Sequence, residues 1–138
     1  MRKRSSYRPR LTALPVVFRF DKNSERNLQL IPHQMLEELR RGQGSEEGWH
    51  TMAARLNLGF VLARDHFNDE PQAVMAKALD ALRSVHARHE RTQEWGATGE
   101  EFFAMGEGLN LTDSMQLKCT RRELQQAIEN ILPAGALK

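Results

Sequence analysis

Two quartets of the form Thr-x-x-Glu, Thr98–Glu101 and Thr120–Glu123, constrain this 138-residue chain more than any other feature. In each, the threonine hydroxyl can accept the backbone N–H three residues on, while the glutamate reaches back to the threonine's own N–H. Two donors that a helix start leaves bare are thereby satisfied together. Behind the first quartet the apolar residues Phe102, Met105, Leu109 and then Leu111 follow; behind the second come Leu124, Ala127, Ile128, Ile131 and Leu132. Spacing of three and four predicts two helices, each with one buried stripe. Gly106 and Gly108 weaken the first of these and leave open a division into two shorter helices. Pro133 is expected to stop the second.

The same pattern runs upstream. Glu70 and Pro71 open a stripe of Met75, Leu79 and Leu82 that continues into His86 and His89, with Pro71 suited to a first turn. Ser45 is a natural N-cap, with Glu46 and Glu47 favoured in the first turn behind it. Trp49, Met52, Ala53, Leu56, Phe60 and Ala63 then mark one buried face, and Gly59 within it invites a close helix contact. Before that loop, Ile31, Met35, Leu36 and Leu39 predict another helix, with Pro32 in its first turn and Gly42 at its end. Five helices joined by short polar loops predict an all-α bundle.

Residues 1–26 read differently. Pro9 and Pro15 oppose regular helix. Val16, Phe18 and Phe20 alternate with Val17 and Arg19, a period of two that predicts a short strand or extended strap. Asp21-Lys22-Asn23-Ser24 then reads as a turn. The expected organisation is an extended basic arm over 1–26 followed by one helical domain over 27–138, with Val16–Phe20 able to pair across a two-fold axis in a homodimer.

Charge follows this division. Arg2, Lys3, Arg4, Arg8 and Arg10 are five of the chain's 20 cations, and residues 1–10 contain no acid. The other 128 residues hold 15 Lys and Arg against 18 Asp and Glu, so the body is mildly acidic near −3. Arg2, Lys3, Arg4, Arg8 and Arg10 can neutralise phosphates, and Tyr7 can stack on a base. The same residues suit an acidic protein groove, or a plain solvated terminus. A protein that wrapped nucleic acid with its body would carry a basic face there.

No apolar run reaches the roughly 20 residues that cross a bilayer, and Pro15 and Arg19 break the stretch behind the basic start. Neither a signal peptide nor an anchor is expected. Cys119 is the one cysteine, which rules out an intrachain disulfide and a cysteine-rich zinc cage, and fits a reducing cytoplasm.

Catalytic patterns are sparse. No phosphate-binding G-x-x-x-x-G-K-[ST] and no H-E-x-x-H occur. His86 and His89, at i and i+3, share a helix face that could offer two imidazoles to a metal, but the plainer reading is that they end an apolar stripe. Cys119 precedes the cap of the last helix, where a thiol pKa can be lowered, yet no base is marked beside it. No catalytic residue, cofactor or metal is expected. Trp49 and Trp95 are read as core anchors, or as contact points for a protein partner if exposed.

Tyr7-Arg8-Pro9 in a basic head, a short helix, the loop with Gly42, Gly44 and Ser45, a longer helix and the capped helix from Thr120 together resemble a set of small helical accessory proteins. Such proteins are encoded on phages, prophages and plasmids of Gram-negative bacteria. The resemblance covers most of the chain as a pattern and brings no catalytic motif. It implies a mobile-element context, in which small non-enzymatic proteins act by binding. Two functions follow as expectations. One is an inhibitor of a host protein complex, of the anti-defence (anti-CRISPR-like) kind. The alternative is a DNA- or RNA-binding accessory protein using residues 2–10. A helix-turn-helix is disfavoured, because the loop between the first two helices exceeds the usual turn and Glu46 and Glu47 would repel phosphates.

Overall fold

A computed structural model describes the backbone of residues 22–134 and the side chains of residues 30–131. Among the described residues there are five helices and no strand: α1 (Lys22–Arg40), α2 (Glu46–His66), α3 (Asp69–Thr92), α4 (Gly99–Lys118) and α5 (Arg121–Ala134). The chain is all-α, as its sequence pattern predicts. It divides into two units, 1–31 and 32–138, and α1 runs through the division. The expected strap at Val16–Phe20 and the cations of the arm lie outside the described residues.

Three expectations about α1 are corrected. Lys22, Asn23 and Ser24 are helical, so the turn expected at Asp21–Ser24 does not close there. Pro32 lies in the interior of the helix instead of its first turn, because the helix begins ten residues earlier. Ile31 is exposed, while Leu36 and Leu39 are buried and Met35 is half-buried. The C-terminal end is as expected. Gly42 adopts φ +74°, its N–H donates to Leu39 O at 3.0 Å, and Gln43 N–H donates to Glu38 O at 2.8 Å. This pair of bonds is a Schellman closure, which a left-handed glycine makes at no steric cost.

In the second unit α2 is the centre. It contacts α3, α4 and α5, and α3 also contacts α4. Burial follows from that position: Trp49, Met52, Ala53, Leu56, Leu58, Val61, Leu62 and Ala63 are all buried, covering more of the circumference than the single face predicted, while Phe60 is half-buried. Ser45 caps the helix by accepting from Gly48 N–H at 3.0 Å. Gly59 does allow close approach, since a Cβ there would overlap Thr112 Oγ1 of α4 and come within 2.7 Å of Met75 Cε. Gly108 of α4 does the same against α3, where an added Cβ would lie 2.6 Å from Ala78 Cβ.

Both capping boxes form. Thr98 N–H donates to Glu101 at 2.9 Å and Glu101 N–H donates to Thr98 Oγ1 at 3.2 Å. The matching distances for Thr120 and Glu123 are 2.9 and 3.1 Å. α4 is one continuous helix despite Gly106 and Gly108, because Gly108 is buried where no side chain fits. Met105 and Leu109 are fully buried, whereas Phe102 and Leu111 are half-buried. α5 buries Ala127, Ile128 and Ile131 and includes Pro133, running to Ala134 instead of stopping before the proline.

Candidate binding site

A cleft of about 390 Å³ opens between the last turns of α1 and the first half of α4. His33, Leu36 and Glu37 line it from α1; Phe102, Phe103, Gly106, Glu107 and Asn110 line it from α4. Leu36 is buried, so the floor is apolar. Phe103 stands at the rim with 64% of its surface exposed. The neighbouring Phe102 is half-buried and lies beneath the Arg40 guanidinium, 5.8 Å from its ring centre. That distance is within cation–π range.

A charged relay joins α1, α4 and α2 beside this cleft. Asp113 on α4 accepts from Arg55 of α2 at 2.7 Å through one oxygen, and its other oxygen lies 3.0 Å from His33 Nε2. The Arg55 side chain is 5% exposed. Burial pulls the guanidinium's pKa below its ordinary value, and the hydrogen bond and charge of Asp113 oppose that. Such a pair holds helices in register by leaving no other partner for a buried charge. His33 lines the cleft with no serine, threonine or cysteine beside it among the cleft's lining residues, so the relay lacks a nucleophile there.

Several other charges near the cleft are paired locally. Glu37 accepts from Arg40, which holds its carboxyl below the usual range. Arg88 forms a fork on Glu101 at 3.0 and 2.6 Å and also donates to Gly96 O at 3.1 Å, tying the α3–α4 loop to the start of α4. Burial pushes the Glu101 carboxyl up, but the Arg88 fork and the Thr98 N–H and hydroxyl outweigh it, and the net pKa is lowered.

The tryptophans occupy a different place. Trp49 is buried and donates its indole N–H to Leu82 O at 3.0 Å, which makes it a core anchor and removes it as a contact point. Trp95 is half-buried and stacks on His89, with ring centres 3.8 Å apart and planes 11° from parallel. His86 packs against Trp49 at 4.9 Å, so both histidines are engaged with aromatic rings. Among the described residues no group of three or more His, Cys, Asp or Glu is placed to hold a metal ion.

Cys119 departs from the possibility of an activated thiol and fits the plainer reading of a residue at a helix junction. The thiol's pKa is raised, first by burial and then by the Glu123 carboxylate, where a position before a helix start had pointed to a lowered value. Burial is the larger cause, and the carboxylate in the first turn of the helix that follows adds to it.

Sequence reading missed the cleft. It placed Phe102 in a buried stripe and did not mark Phe103, although one of two adjacent aromatics on a helix must face away from the other's stripe. His33, Arg55 and Asp113 lie 58 and 80 residues apart and carried no local signal. Arg2, Lys3, Arg4, Tyr7, Arg8 and Arg10 lie outside the described residues. Comparisons with protein-family models, curated proteins and solved structures each find no match.

Proposed function

We propose that this chain is a non-catalytic accessory protein of a phage or plasmid that acts by binding a host protein complex and inhibiting it, in the manner of an anti-defence protein. The observation that carries the reading is Phe103, a large aromatic exposed at the rim of an apolar-floored cleft. Burying such a side chain against a partner is worth about 1.5–3 kcal/mol, and aromatics dominate the energetics of protein interfaces. Two further features support it. The one cysteine has a raised pKa, and His33, paired with Asp113, lines a cleft that offers no nucleophile, so neither favours covalent chemistry. The helix that follows the long loop, α2, is buried on most of its surface, which is incompatible with insertion into a DNA groove.

The test is affinity purification of the full chain and of Phe103→Asp from nuclease-treated lysate of a Gram-negative host, paired with plating of a restricted phage on cells expressing each. The expected result is a defined protein complex retained by the parent chain, lost with Phe103→Asp, and plating restored by the parent alone. Binding to duplex or single-stranded nucleic acid that falls steeply with salt and disappears on removing residues 2–10, with no protein retained, would replace this reading with the nucleic-acid one.

A further inference from the structure

The outer face of α4 carries a charge pattern that says what kind of partner fits it. Between Arg91 and Lys118 the chain has no lysine or arginine. α4 has four carboxylates, and two of them are engaged inside the fold: Asp113 with Arg55 and His33, Glu101 with Arg88. The other two, Glu100 and Glu107, are exposed and form no ion pair among the described residues. They lie three residues before and four residues after Phe103, so on a helix all three share one face. Glu37, across the cleft on α1, is already neutralised by Arg40. Among the described residues, then, negative charge with no ion-pair partner brackets the one exposed aromatic of α4.

We infer that this face docks a basic amphipathic helix of a partner protein. One apolar side chain of that helix packs on Phe103 and another enters the cleft over Leu36, Phe102 and Gly106. Lysine or arginine side chains one turn to either side reach Glu100 and Glu107. The span suits a helix: from Glu100 to Asn110 the rise along α4 is about 15 Å, some three turns, and apolar anchors at i, i+3 or i+4 and i+7 match a groove of that length. Gly106 contributes no side chain to fill the groove. Nucleic acid is the wrong occupant, because Glu100 and Glu107 would repel phosphates. A second copy meeting the same face about a two-fold axis would set like charges opposite one another. An extended segment adding to a sheet has no strand to pair with among the described residues.

The inference rests on the protein-binding reading above, and its test separates the two. The full chain carrying Phe103→p-benzoylphenylalanine is irradiated in a Gram-negative host cell, and the adducts are identified by mass spectrometry. A parallel chain carries the same photoreactive residue at Arg83, which is exposed on α3. The expected result is a protein adduct from position 103 alone, on a peptide whose apolar residues recur at helical spacing between lysines and arginines. Adding Glu100→Lys and Glu107→Lys is expected to cut its yield about ten-fold, with the helical circular dichroism spectrum kept and the melt only slightly lowered by the loss of the Glu100 charge from the first turn of α4. Adducts from 103 on an acidic or non-helical peptide, on a second copy of the chain or on nucleic acid, or no adduct from 103, would overturn the inference. Protein adducts from position 83 without any from 103 would do so while leaving the protein-binding reading standing. Nucleic-acid adducts alone, or none from either position, would remove both.

Discussion

Gly59 of α2 and Thr112 of α4 meet so closely that a side-chain carbon on the glycine would overlap the threonine hydroxyl. Thr112 is fully buried and donates that hydroxyl to Gly108 O at 2.7 Å, so it has little freedom to retreat. Gly59→Ala gains about 1 kcal/mol of helix propensity but overfills a packed contact at a cost of about 1–3 kcal/mol or somewhat more. The expected net effect is a loss of stability, read as a lower urea midpoint at unchanged slope. Combining it with Thr112→Ala should cost less than the sum of the two single changes, since the second removes the atom that the first strikes.

Asp113 is the shared partner of a buried arginine and a half-buried histidine. Asp113→Ala leaves the Arg55 charge buried and unpaired, a class of change that costs about 3–5 kcal/mol. A thermal melt of this variant should fall well below that of His33→Ala, whose partner keeps Arg55. The double change Arg55→Met with Asp113→Ala is expected to recover much of the loss, because it removes the charge that the single variant strands.

Glu101 gives a pH dependence of known sign. Its folded pKa lies below the ordinary carboxyl value of 4.5, so its contribution is fully present above that value and is lost as pH falls through the lowered folded value. Glu101→Gln keeps an acceptor for the Thr98 N–H and removes the charge paired with Arg88. At neutral pH the variant should be about 1–2 kcal/mol less stable. That gap should stay constant down to about pH 5 and close as the pH drops further, as measured by urea titrations across the acid range. A gap that widened in acid would contradict the assignment of the Arg88 fork.

Cys119 should alkylate slowly. Its raised pKa, from burial and Glu123, leaves less thiolate at neutral pH than an ordinary thiol has. Iodoacetamide rates should therefore climb at higher pH than those of a free thiol, and Glu123→Gln should shift the profile part of the way back. Cys119→Ser should leave any inhibitory activity of the chain intact.

The sequence pattern made the helices readable because caps and stripes are local. Thr98 with Glu101, Thr120 with Glu123, Ser45 and Gly42 each mark a boundary within four residues of themselves, and all four act as read. Pro32 misled because its first-turn preference is a tendency, and a helix that starts at Lys22 carries it inside. α2 shows why burial was under-read: a helix touched from three sides needs no polar face, so one-sided periodicity understates its core. Nothing in the chain pairs Arg55 with Asp113 ahead of the other arginines and acids; only the packing of α2 on α4 chooses them. The cleft escaped for the same reason, since its walls come from two helices that lie far apart in sequence.

The contrast between α2 and the outer face of α4 sets how freely each position can change over generations. At Gly59 or Leu56 nearly every replacement is rejected by the fold itself, whatever the protein is for. At Phe103 and Glu107 folding imposes almost no demand, and at Glu100 only a first-turn preference for an acid, so drift is restrained mainly by whatever they touch. If the chain acts by binding a partner, as proposed, these three positions can be retuned to a new one at little cost to the scaffold. A lineage released from its target would lose Phe103 long before it lost Gly59.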